Sequence, residues 1–213
     1  RQMCIRDRNK AYLYLTCLIL GIITSFSLPP YNFVFINFLS LPTLLYILIN
    51  FTHKRIISFF VGWVFGFGYF ISNLYWITNS LTFDVNFKLI IPFALILIPL
   101  FLGIFYGLVT FLSSLFNLEN KLSSVLIFSI FFGGIEFLRS FILGGFPWNL
   151  LVFSVSNNLP SLQILSYVGT YSLNLLSITI FLLPIIFFYK YKGSAAVIFF
   201  CFGLIIVVIN YSY

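Results

Sequence analysis

Leu122-Ser-Ser-Val-Leu-Ile-Phe-Ser-Ile-Phe-Phe-Gly-Gly-Ile-Glu136-Phe-Leu-Arg139-Ser-Phe-Ile-Leu143 is an apolar run interrupted by one acid and one base, and Gly144-Gly145-Phe146-Pro147-Trp148-Asn149 ends it. About 20 apolar residues in helical form cross a bilayer core of roughly 30 Å. The stretch therefore reads as a membrane helix. Ionisable groups at that depth are costly and mark functional or assembly sites. Gly-Gly and Pro break the helix. Phe146 and Trp148 suit the water–lipid boundary.

Composition extends this reading to the whole chain. Of its 213 residues, 62% are hydrophobic and 7% charged, and the mean hydropathy is +1.12. A soluble domain carries about 25% charged residues. Seven runs have the length and character of spans: Ala11–Leu28, Phe33–Phe51, Ile56–Ile77, Leu89–Phe116, Leu122–Leu143, Leu162–Tyr189 and Ser194–Tyr211. The fold class expected is an all-α polytopic membrane protein of about seven transmembrane helices. Pro92 and Pro99 predict a late start or a bend in the fourth. The 30 phenylalanines fit AT-rich codon usage better than an aromatic site.

Charge placement gives direction. Arg8, Lys10, Lys54, Arg55, Lys121, Lys190 and Lys192 fall in the segments of one side, whereas Lys88 and Arg139 lie toward the other. The positive-inside rule then puts the N-terminus in the cytoplasm and the C-terminal end outside. The two longest loops, Thr78–Lys88 and Gly144–Ser161, fall outside as well. The net charge of +7 is a topology signal, with no nucleic-acid partner implied. Residues 1–8, RQMCIRDR, hold three of the eleven basic residues and one of the four acids. They are expected to be non-native, adaptor-derived sequence, leaving 9–213 as the membrane domain.

Glu136 and Arg139, spaced i,i+3, face each other on one helix. One reading is a local ion pair that fixes packing; the other is contact with a lipid headgroup or acyl donor. Arg139, about one turn from the boundary, is placed to snorkel outward. Asn73, Tyr75 and Trp76 end the third span at the same boundary. They form either an aromatic belt or a lipid-facing rim shared with Phe146, Pro147 and Trp148. Gly62-x-x-x-Gly66 and Gly103-x-x-x-Gly107 suit close helix approach. Cys4, Cys17 and Cys201 are far apart and make no metal or redox spacing. His53, beside Lys54 and Arg55, belongs to a positive cluster, and Asp84 to a solvated loop. No catalytic, metal-binding or cofactor motif is present.

Four segments carry a resemblance. They are Leu28-Pro-Pro-Tyr31, Gly62-Trp-Val-Phe-Gly66-Phe-Gly-Tyr-Phe-Ile-Ser-Asn-Leu-Tyr-Trp76, Glu136-Phe-Leu-Arg139 with Gly145-Phe-Pro-Trp148, and Leu165-Ser-Tyr-Val-Gly169-Thr-Tyr-Ser-Leu-Asn174. Their order resembles the N-terminal membrane part of bacterial apolipoprotein N-acyltransferases. The resemblance implies a multi-pass protein of the bacterial cytoplasmic (inner) membrane. It also implies an external α/β nitrilase-like domain with a Glu-Lys-Cys triad, expected after Tyr213 and absent from this chain. In that family the cysteine takes an acyl group from a membrane phospholipid as a thioester. The acyl group then passes to the α-amino group of a diacylglyceryl-cysteine lipoprotein. No residue here matches the triad, so this chain alone is expected to be inactive and to anchor the enzyme and shape its lipid-access rim. Two rival readings are the membrane module of a glycosyltransferase fusion and a non-enzymatic channel or transporter subunit. The second predicts polar residues mid-span in several helices.

Overall fold

Apolar runs in a bilayer must satisfy their backbone internally, which leaves the helix as the local solution. The computed structural model describes residues 2–52, 54–83, 85–118, 122–142, 145–155 and 165–188, and every regular element among them is helical. The helices are α1 (Gln2–Ser25), α2 (Asn37–Phe51), α3 (Arg55–Asn73), the single-turn α4 (Ile77–Ser80), α5 (Ile91–Ser113), α6 (Leu122–Arg139), α7 (Thr170–Leu182) and the short α8 (Pro184–Phe188). A 3-10 turn, Val34–Ile36, leads into α2; another, Val85–Ile90, precedes α5; a third, Leu151–Val155, lies between α6 and α7.

Four segments are long and apolar enough to cross a membrane: Val34–Phe51, Arg55–Asn73, Lys88–Ser113 and Leu122–Arg139. Ala11–Ser25 and Thr170–Ile186 are shorter apolar helices. The seventh expected span, Ser194–Tyr211, lies outside the described residues. In the sixth run residues 165–168 are helical, and Gly169, at φ +84°, interrupts the helix before α7 starts at Thr170. Pro92 occupies the first turn of α5, where its missing N–H costs nothing, and Pro99 sits inside that helix.

The principal packing relations close a ring. Helix α1 packs on α3, α3 on α5, α5 on α6, α6 on α7, α7 on α2, and α2 on α1. The α3–α5 contact is the most extensive, and glycine explains it. A Cβ on Gly62 would lie 2.2 Å from Thr110 Oγ1 and 2.3 Å from the Tyr106 carbonyl oxygen. On the other side of α3, a Cβ on Gly21 of α1 would lie 2.0 Å from the Phe65 carbonyl oxygen. Bare backbones thus bring three helices together, and Thr110 Oγ1 donates to the Ser58 carbonyl at 2.7 Å across the α3–α5 seam.

Aromatic side chains fill the centre. The Tyr106 ring lies 4.8 Å from Phe132, 5.2 Å from Phe70 and 5.6 Å from Tyr69, centroid to centroid. Large apolar side chains such as Phe93, Ile96, Leu97, Phe101 and Ile104 of α5 point outward. An exposed apolar face of this extent belongs against lipid tails.

Candidate functional site

The chain after α6 does not stay at the bundle's edge. Gly145 adopts φ 80° and Asn149 φ 56°; glycine and asparagine are the residues that enter the left-handed region most cheaply. Between these two bends the Phe146 N–H donates back to the Arg139 carbonyl at 3.2 Å. The chain then turns inward, and Leu150, Leu151, Val152, Ser154 and Val155 are buried. Irregular backbone is tolerated in a membrane protein where protein buries it and polar partners satisfy it. Four helices supply those partners.

Tyr69 of α3 donates its hydroxyl to the Asn149 carbonyl at 2.9 Å. Arg139 of α6 donates through Nη2 to the Trp148 carbonyl at 3.0 Å. Asn174 of α7 accepts the Val152 N–H at 3.0 Å. Asn37 of α2 donates to Ser154 Oγ at 3.0 Å. The inward segment is therefore clamped from four directions by neutral amides, a phenol and one guanidinium.

Glu136 sits behind this clamp and joins its parts. Its Oε1 accepts from the Tyr106 hydroxyl at 3.0 Å, and its Oε2 accepts from Asn174 Nδ2. Asn174 thus uses both ends of its amide, one toward Glu136 and one toward Val152. The Arg139 Nη2 lies 3.9 Å from Glu136 Oε1, a loose ion pair. Both side chains are 1% exposed. Arg139 turns into the bundle, contrary to the snorkelling expected from its position near the helix end. The reason is local: Phe70 and Phe146 receive its guanidinium, 5.1 and 5.9 Å from their ring centroids, and the Trp148 carbonyl accepts a hydrogen bond from it.

The anticipated rim residues divide. Trp76 and Trp148 meet with ring centroids 5.5 Å apart, and Phe146 lies 5.5 Å from Trp148. These three rings come from two chain-distant segments and form one aromatic cluster, with Trp76 and Trp148 exposed. Pro147 is exposed within the same loop. Tyr75 is exposed but makes no ring contact with the cluster among those described. Asn73 ends α3 half-buried, with its Nδ2 unpartnered among the described residues.

Sequence reasoning did not single out Tyr69, Tyr106, Asn37 or Asn174 as site residues. Asn174 carried a signal: it is the sole amide or charged residue in 170–188. Tyr106 lies inside the Gly103-x-x-x-Gly107 stretch, where the glycines drew attention instead. Among the described residues, no group of three His, Cys, Asp or Glu side chains is arranged to hold a metal ion.

Residues 20–183 match the model of the apolipoprotein N-acyltransferase N-terminal domain. The chain belongs to the apolipoprotein N-acyltransferase family. It is similar to the apolipoprotein N-acyltransferase of Rhizobium rhizogenes, 30% identical over 179 residues, which is 80% of this chain and 33% of that protein. It is 30% identical over 173 residues to that of Brucella melitensis, covering 77% of this chain and 32% of the relative. The figure for Agrobacterium fabrum is 31% over 173 residues, with the same coverage. The chain thus spans about a third of the length of these curated relatives. Homology and the apolar helices together make it a multi-pass membrane protein carrying the family's N-terminal domain. The matched range contains the whole clamp, from Asn37 to Asn174.

Proposed function

We propose that this chain is the membrane module of an apolipoprotein N-acyltransferase, which anchors the enzyme and shapes the rim where lipid substrates approach a nitrilase-like catalytic domain. The acyl donor is a membrane phospholipid and the acceptor a diacylated lipoprotein. The N-terminus is cytoplasmic, and the Phe146–Trp148 loop lies on the outer face of the cytoplasmic membrane. Catalysis belongs to residues outside the module, because Cys17, the free cysteine among the described residues, is buried within α1. The observation that carries the reading is the clamp. A buried network spanning four helices fixes the segment from Trp148 to Ser154, beside the Trp76–Trp148–Phe146 cluster. Aromatic rings with polar edges suit the membrane interface, where acyl donor and acceptor must meet.

The test is a chimera in which residues 9–188 replace the corresponding part of the Rhizobium rhizogenes enzyme. It should form triacylated product from phospholipid and a diacylated lipopeptide. The 213-residue chain alone should form none. A chimera that inserts at normal yield but stays inactive, or turnover by the chain alone, would sink the reading.

A further inference from the structure

The stretch Gly145-Phe-Pro-Trp-Asn149 serves two places at once. Gly145 and Phe146 line a groove of about 340 Å³ between α5 and α6, and the same groove is lined by Leu102, a residue only 4% exposed. Two residues on from Phe146, the Trp148 ring rests against Trp76, centroids 5.5 Å apart. The stretch is thus a strap with a groove on one side and an aromatic latch on the other.

Hinges bracket it. Gly145 at φ 80° and Asn149 at φ 56° both lie in the left-handed region, and a change at two such positions reorients whatever lies between them. Pro147 fixes its own φ and restricts Phe146, so the middle of the strap moves as a unit. The observed position also leaves polar groups unused on both sides. Below the strap, Arg139 Nε and Nη1 and Asn149 Nδ2 are buried and unpartnered among the described residues. Glu136 does not serve them, since Tyr106 and Asn174 donate to its two oxygens. Within the strap, the carbonyls of Phe146 and Pro147 accept no backbone hydrogen bond among the described residues. Unmet buried donors call for a specific explanation, and here unused acceptors lie in the adjoining backbone.

We propose that the strap is a gate with two positions. In the position seen, Trp148 rests on Trp76 and Phe146 walls the groove. In the other, rotation at Gly145 and Asn149 turns the Phe146 and Pro147 carbonyls onto the unused donors of Arg139 and Asn149. The Phe146 ring then leaves the groove, and Leu102 becomes accessible. The Trp76–Trp148 contact exists in one position only, so it sets the balance between them. Anything that engages the exposed tryptophans from outside therefore shifts the gate. The gate is independent of the acyl-transfer reading, and its failure leaves that reading intact.

Labelling of the 213-residue chain in detergent with N-ethylmaleimide, read by peptide mass spectrometry, tests the gate. Leu102→Cys places a thiol in the groove, while Cys4→Ser and Cys201→Ser remove two native thiols. Cys17, buried in α1 and outside the groove, stays as the internal measure of global opening. Trp76→Ala removes the latch. Gly145→Ala cannot keep the observed hinge, because its Cβ would lie 2.3 Å from the Ser140 carbonyl oxygen. Each should speed labelling at position 102 roughly two- to ten-fold, the shift that losing one aromatic pair produces, with labelling of Cys17 unchanged. Unchanged labelling at position 102 in either variant would overturn the proposal. So would an equal rise at Cys17, which would make the strap a prop for the whole fold.

Discussion

Glu136 is held by two neutral donors more closely than by its charged neighbour, and this decides what its removal does. Asn174→Ala deletes a donor to Glu136 and the acceptor of the Val152 N–H together. At about 1–3 kcal/mol for each of the two buried groups left unsatisfied, the expected loss is about 2–6 kcal/mol. Thermal unfolding in detergent measures it, and a loss below about 1 kcal/mol would show that the amide is not shared. Glu136→Gln and Arg139→Gln should each lower membrane yield of a full-length family member, and the double variant should lose less than the sum. Additive losses would mean that the two side chains are uncoupled despite the 3.9 Å contact. The acid and base were legible in the sequence because charge is rare in an apolar run. Tyr106 was not, being one among 13 tyrosines, and Asn174 stood out as the sole amide of its helix without its partners being named. Only the pairing of α5, α6 and α7 gives them meaning.

At the scale of elements, the α3–α5 and α1–α3 seams depend on missing side chains. Gly62→Ala and Gly21→Ala press a methyl group against backbone or a packed threonine, and overpacking of this kind costs about 1–3 kcal/mol. Gly134→Ala, on the same scale of chemistry, meets nothing within 4 Å and should leave the unfolding temperature unchanged or slightly raised. Equal effects at the three positions would mean that close approach does not set the seam. The Gly-x-x-x-Gly spacing announced this contact, and the apolar runs announced the helices, because both are local patterns. The inward fold of Leu150–Val155 was not announced. Six residues, five of them apolar, are too few to span, and Pro147 and Asn149 mark a loop. Their burial rests on partners from α2, α3, α6 and α7, which no local pattern records.

For the whole molecule, the alternation of helices is compatible with either orientation, and the basic residues choose one. With the native cysteines replaced, Lys54→Cys should resist a membrane-impermeant thiol reagent in intact spheroplasts, and Pro147→Cys should react. Both side chains are exposed. Labelling of position 54 and protection of position 147 would invert the topology.

The clamp also imposes a timetable on synthesis. Tyr69 and Arg139 emerge from the ribosome before the backbone they hold, but Asn174 emerges after it. Until it does, the Val152 N–H has no acceptor from α7, and Glu136 has the Tyr106 hydroxyl as its one close donor. A nascent chain paused between these points carries a half-built polar interior inside the bilayer. It is the form on which membrane proteases and insertion chaperones have longest to act. Chains released at residue 165 should therefore be degraded faster in pulse-chase than chains released at residue 188. Equal half-lives would place the commitment to fold earlier, at the glycine seams.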